Sequence, residues 1–130
     1  MTNAQQSSTH RGNENKKADK AIDGNMKTLS LTTNEANPWW RAELEKTVQI
    51  TQIWMYAVKN YFKSGQYNNL KVETGLMKDI WELCKGPYDV ELPIAPHIII
   101  CNTPKTAKYI KLGRLINSGY IGLSEVKVVG

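Results

Sequence analysis

Nowhere in these 130 residues does an apolar run approach the roughly 18–20 positions that span a bilayer, so a soluble chain without membrane insertion is expected. The opening MTNAQQSSTH lacks a charged segment followed by an apolar one, and no signal peptide is read there. Met1 is then either a native start or one placed ahead of a mature secreted form. No Asn-x-Ser/Thr acceptor with a permissible middle residue occurs, which removes N-glycosylation as a hint of compartment. Histidine is scarce. His10 lies in a polar stretch and His97 beside Pro96, and neither has a serine or cysteine nucleophile in a recognisable elbow or box. Carboxylates alone, without a known separation, do not make an acid/base pair. A binding module is expected rather than an enzyme.

The formal net charge of +5 suits an acidic partner, but the placement of the charges does not. Lys16, Lys17 and Lys20 interleave with Glu14, Asp19 and Asp23, while Lys105, Lys108, Lys111 and Arg114 are spread along one strand-like segment. Solvated surface is the expected role for both groups, and no nucleic-acid partner is expected. There is no internal repeat and no low-complexity tract, so residues 1–130 read as a single domain.

What is present is mostly β pattern. KTVQITQIWMYAV puts Val48 and Ile50 on one phase and Ile53, Met55 and Ala57 on the other, which predicts a strand with a bulge or twist near Thr51. NLKVETG, DIWELC, YDVELPI, HIIICN, AKYIKLGRL and YIGLSEVKVV follow as short runs punctuated by Gly, Pro, Asn or Asp. The polar first 20 residues read as a long loop on a short strand. Two packed antiparallel sheets result, a sandwich or jelly roll. The two cysteines, Cys84 and Cys101, fall in strand-like runs that an antiparallel pairing could bring together. They read equally as a disulfide or as small buried thiols, and no Cys-x-x-Cys or Cys/His spacing for zinc exists. In NPWW, alternation along a strand sends Trp39 and Trp40 to opposite faces, one ring into the core and the other over a loop or toward a partner. Arg41 follows as a packing and salt-bridge residue.

AIDGN at 21–25, NPWWRAEL at 37–44 and LSEVKVVG at 123–130 together resemble the F-type lectin (fucolectin) family, and the resemblance, which includes SSTHRGN and ADKAIDGN, runs over nearly the whole chain. It implies a β-jelly roll of the galactose-binding-domain type, so that an all-β, eight-stranded sandwich is expected. It also implies a structural calcium ion. The matching positions are the carboxylates of Asp23 and Glu125, with oxygens from Lys20, Asn25, Thr28 and Ser124, a donor mixture that suits a hard cation. Gly24 would permit the tight turn that aims those oxygens inward. Family members often join a cysteine after AIDGN to the cysteine of a terminal L-C-E-V; here those positions are Leu29 and Ser124, and both partners are absent together. Cys84 and Cys101 match the family's other bridge, which implies a disulfide and a secreted, extracellular setting.

The sugar positions depart from the family. Its fucose-binding histidine corresponds to Leu31, its first arginine to Val58 with Asn60 for the partner aspartate, and its second arginine to Gln66, near Lys63. Hydrogen bonds to charged groups are worth about 1.5–3 kcal/mol each, so loss of three donors predicts no ordinary fucose affinity. Where the family places two adjacent cysteines under the sugar ring, this chain has Tyr61 and Phe62, with Lys59, Lys63 and Gln66 as donors around them. Two readings follow. One is a lectin with altered glycan specificity, binding glycans or glycoproteins. The other is a degenerate lectin-fold module that recognises protein. Homo-oligomer formation is left open by the sequence.

Overall fold

Period-2 burial builds the sheets. In the strand Trp39–Ile50 the chain buries Trp40, Ala42 and Leu44 while Trp39, Arg41 and Glu43 face outward. The computed structural model describes residues 1–57, 66–91 and 96–130. Among them are nine strands: β1 (Thr2–Gln6), β2 (Ser30–Leu31), β3 (Trp39–Ile50), β4 (Gln52–Ala57), β5 (Gln66–Met77), β6 (Ile80–Glu91), β7 (His97–Ile99), β8 (Lys105–Arg114) and β9 (Gly122–Val129). Three 3₁₀ turns lie between β1 and β2, the last of them Ala18–Ala21. No helix among the described residues is long and apolar enough to cross a membrane.

The strands form two antiparallel sheets, β1-β3-β8-β5-β6 and β2-β9-β4-β7. Their inner faces enclose one core, in which Trp40, Tyr67, Ile53, Met55, Ile110, Leu112 and Leu123 are fully buried. The all-β sandwich expected from the strand pattern is the fold. The count is nine rather than eight; the short strand expected in the polar N-terminus is β1, along the edge of β3, where Gln5 faces Arg41, and β2 contributes two residues beside β9.

Two local expectations are corrected. Thr51 does not mark a bulge within one strand: it is a bend at which the chain leaves the five-stranded sheet and enters the four-stranded one. Ile50 ends its strand facing the core and Ile53 resumes the inward phase in the other sheet, so the phase slip seen in the sequence is a change of sheet. The cysteines, likewise, are not brought together by strand pairing. Cys84 lies on β6 and Cys101 just beyond β7, the outer strands of opposite sheets, and their disulfide (Cα–Cα 4.4 Å) staples the two sheets along one open side. The Asn102 amide donates to the Cys84 carbonyl (2.9 Å), and Tyr88 Oη and His97 Nε2, 2.6 Å apart, bridge β6 and β7. Replacing both cysteines by alanine is expected to lower stability by about 3 kcal/mol, from the loop entropy released in the unfolded chain. Urea unfolding of the double variant measures it, and an unchanged midpoint would rule out a stabilising bond.

Candidate functional site

The AIDGN segment forms a loop that closes on itself through oxygen atoms. Gly24 takes φ +75°, the left-handed conformation that glycine adopts without penalty. The Asn25 amide donates to Asp23 Oδ1 (2.9 Å) and the Lys27 amide to Asn25 Oδ1 (2.9 Å), two successive Asx turns. Thr28 Oγ1 donates to Asp23 Oδ2 (2.5 Å) and lies 2.9 Å from the Asn25 carbonyl and 3.4 Å from the Lys20 carbonyl. Thus Lys20, Asp23, Asn25 and Thr28 present their oxygens to one small volume. The loop is moored from behind: Ala21 is fully buried, and the Trp40 indole donates to the Ala18 carbonyl (2.9 Å). Trp39, by contrast, stays half-exposed on the outer face, with the Arg41 guanidinium and the Lys111 ammonium 5.2 and 5.3 Å from its ring centre. Arg41 also pairs with Asp79, as a structural arginine would.

Glu125 reaches the same volume from the other end of the chain. β9 pairs with β4 through Tyr56↔Glu125 and Ala57↔Leu123, which leaves Ser124 as an extra residue, a β-bulge. Leu123 and Val126 therefore both face the core, and Glu125, between them, is turned toward the AIDGN loop. Its carboxyl is buried, and Oε2 has no hydrogen-bond partner among the described residues. Burial holds the Glu125 carboxyl above its ordinary range and the negative charge of Asp23 adds to that, while the Gly24 and Val126 amides and Lys127 oppose it. Asp23 moves the other way: the Thr28 hydroxyl, the Asn25 amide and the Lys20 charge hold it below its ordinary range, against its own desolvation. The Ser124 hydroxyl is spent on the Tyr56 carbonyl (3.1 Å), so its main-chain oxygen is what it could offer an ion.

Two carboxylates, several carbonyls and a hydroxyl are the donor set of a hard divalent cation. No group of three or more His, Cys, Asp or Glu side chains gathers among the described residues. The orphaned, charge-repelled Glu125 oxygen is what a cation beside it would satisfy, and the residues present fit calcium on that ground.

A raised carboxyl pKa contributes stability that is complete below the unfolded value of about 4.5 and is lost as pH rises through the folded one. In chelator, Glu125→Gln is therefore expected to be more stable than the parent at neutral pH, with the difference vanishing below pH ~4.5. Melting temperatures of both proteins across pH 4–8 test this, and a pH-independent difference would count against a buried charged carboxylate.

The positions expected to contact sugar fall in the chain between the end of β4 and the start of β5. Lys59, Tyr61, Phe62 and Lys63 lie outside the described residues, as do Val58 and Asn60. Gln66 opens β5 opposite Glu91. Leu31, at the family's histidine position, has 0% exposure and packs inside, so it contributes nothing to a pocket rim. The residue that sequence reasoning missed is Arg114. It was read as solvated charge, yet it is buried: Nε donates to the Asn68 carbonyl (3.0 Å), Nη1 to the Tyr120 carbonyl (2.8 Å), and its guanidinium lies 4.7 Å from the ring centre of buried Tyr67. It shares the phase of Ile110 and Leu112, which was the available signal. Its role is to tie the 115–121 segment to the start of β5, while Ser118 to Asn34 (2.7 Å) and the Glu35–Gly119 bridge brace the same rim.

Comparison with known proteins agrees with the fold. The F5/8 type C domain family matches residues 3–126. No curated protein sequence matches. Among solved structures, a pectin-binding carbohydrate-binding module superposes with a TM-score of 0.83 at 17% identity, over 100% of this chain and 91% of that one. An F-lectin (fucolectin) from striped bass (Morone saxatilis) serum gives 0.82 at 21%, over 98% of this chain and 46% of that one. The CpGH89CBM32-5 module of Clostridium perfringens, in complex with GalNAc-β-1,3-galactose, gives 0.82 at 18%, over 98% and 94%. With a family match over nearly its whole length and the two-sheet sandwich to go with it, the chain belongs to the F5/8 type C domain family.

Proposed function

We propose that this domain is a calcium-stabilised carbohydrate-binding module of the F-type lectin kind, secreted, with a glycan specificity other than ordinary fucose. The observation that carries the sugar-binding part is likeness along the full chain to domains described as binding pectin or GalNAc-β-1,3-galactose, joined to a braced loop rim at the end of the sandwich. The change of specificity rests on Leu31: an apolar, wholly buried side chain donates nothing to a sugar hydroxyl. Recognition then falls to Tyr61 and Phe62 as a stacking platform, with Lys59, Lys63 and Gln66 as donors. The ion, held by Asp23 and Glu125 with oxygens of Lys20, Asn25, Thr28 and Ser124, would fix the amino-terminal loop to the last strand and supply no chemistry. An oxidising setting is supported by the Cys84–Cys101 bond.

A second reading has one observation in its favour. Leu76, Met77 and Ile80 at the β5–β6 hairpin tip are 57–65% exposed, a small apolar projection suited to a protein partner. A glycan array in calcium separates the two. The lectin reading predicts signal for at least one non-fucosylated glycan, lost in the Tyr61→Ala/Phe62→Ala variant without change in melting temperature. No signal for any sugar leaves the protein-recognition module.

A further inference from the structure

The outer face of the five-stranded sheet carries aromatic and cationic side chains that neither the core nor the loop rim uses. Between β1, β3, β6 and β8 lies a cleft of about 400 Å³, within the range of small-ligand sites, lined by Gln5, Arg41, Glu43, Lys78, Trp81 and Tyr109 among others, with Lys111 beside it against the Trp81 ring. Trp81 and Tyr109 are both partly exposed there, and two of the four tryptophans of the chain, Trp39 and Trp81, look outward from this sheet. The Lys111 ammonium sits between them, 5.3 Å from the Trp39 ring centre and 5.6 Å from that of Trp81.

The charges on this face do not cancel. Arg41 pairs with Asp79, Lys108 with Glu43 (3.3 Å), Lys105 with Glu82 (3.1 Å) and Lys71 with Glu73 (3.8 Å). Among the described residues this leaves Lys111 with no ion pair, while Lys78 shares the negative charge of Glu43 with Lys108. Gln5 holds the Arg41 guanidinium from the side through Oε1 (3.0 and 2.6 Å), so the fork is fixed in place at the cleft wall.

We propose that this cleft is a second saccharide site, distinct from the loop rim, that takes a uronate-containing oligosaccharide: the rings of Trp81 and Tyr109 stack on the apolar faces of the sugars, and Lys111 and Lys78 receive the carboxylates. The rings distinguish such a ligand from a bare anion, since a phosphate or sulfate gains nothing from an indole face. The cations distinguish it from a neutral glycan. A peptide adding a strand is not accommodated, because β3 and β8, which form the cleft floor, are already paired on both sides.

The test is calorimetric titration of the full chain with trigalacturonate, with neutral galactotriose and a sulfated, uronate-free carrageenan hexasaccharide as comparison arms. Trigalacturonate is expected to bind, and Trp81→Ala and Lys111→Gln each to weaken it at least tenfold, while Tyr61→Ala/Phe62→Ala leaves it unchanged. Galactotriose is expected not to compete. Absence of trigalacturonate binding, or binding indifferent to both cleft substitutions, overturns the proposal. So does equal binding of the sulfated hexasaccharide that Trp81→Ala does not touch, which would make the face an ionic patch only. Should Trp81→Ala fail to fold, Lys111→Gln and the shift of the Trp81 indole NMR signal on titration carry the same decision. The loop variant and the cleft variants report separately, so failure here leaves the loop reading standing.

Discussion

Replacing Trp40 by alanine is expected to lower folding stability by about 3–5 kcal/mol, a large share of what a domain of this size has. The ring has no exposure and occupies the core where β3 faces the 3₁₀ turn Ala18–Ala21. Its loss leaves a cavity and also strips the Ala18 carbonyl of the indole donor 2.9 Å away. Two controls separate those contributions. Trp40→Phe keeps most of the volume and removes the N–H, so about 1–3 kcal/mol should be lost. Trp39→Ala, on the half-exposed outer face, should cost less than the Trp40→Phe change, since its ring lies outside the core with the cations of Arg41 and Lys111 over it. Urea unfolding of the three variants measures the series. Equal costs for Trp39→Ala and Trp40→Ala would contradict the assignment of core and surface rings. Because the indole also moors the AIDGN loop, Trp40→Phe is further expected to weaken calcium binding, although it touches no proposed ligand.

The second large effect is that of the ion. A cation that binds only the folded chain stabilises it by RT ln(1 + [L]/Kd), about 4 kcal/mol at calcium a thousandfold above Kd. The destabilising half of the arrangement is visible without it: Glu125 is buried, one of its oxygens has no partner among the described residues, and Asp23 repels it. Removing calcium with EDTA is therefore expected to lower the melting temperature by several degrees, and to do so through Glu125. In Glu125→Gln the EDTA-induced drop should shrink or vanish. The effect should fade on acidification, as protonation of Glu125 removes the charge that the ion needs.

How much of this could be read from the sequence depended on how local the signal was. The alternation in NPWWRAEL sent Trp39 and Trp40 to opposite faces, because period 2 is a property of neighbouring residues, but which of the two is inside came only with the fold. The same rule carried one step further would have buried Arg114, in phase with Ile110 and Leu112, but its charge argued for solvent, and only the carbonyls of Asn68 and Tyr120, distant in sequence, make that burial tolerable. Thr51 showed the phase slip without its meaning, since a bulge and a change of sheet look alike along the chain. KGP divided DIWELC from YDVELPI, yet β6, Ile80–Glu91, runs through KGP, because Gly86 and Pro87 fall at a shift of register on an edge strand. The Cys84–Cys101 pairing followed from the family resemblance rather than from strand pairing, and it joins the two sheets. Of the AIDGN loop, the tight turn at Gly24 was legible in the sequence, whereas the turning of Glu125 by the Ser124 bulge depends on pairing with β4 and has no signature of its own.

Calorimetric titration of calcium into chelator-stripped protein is the most direct measurement of the central claim. One site per chain is expected for the parent, with binding abolished in Glu125→Ala and in Asp23→Ala, although those residues stand 102 positions apart in the chain. No heat of binding in the parent, or an isotherm that neither substitution alters, would contradict the ion bridge between the first loop and the last strand.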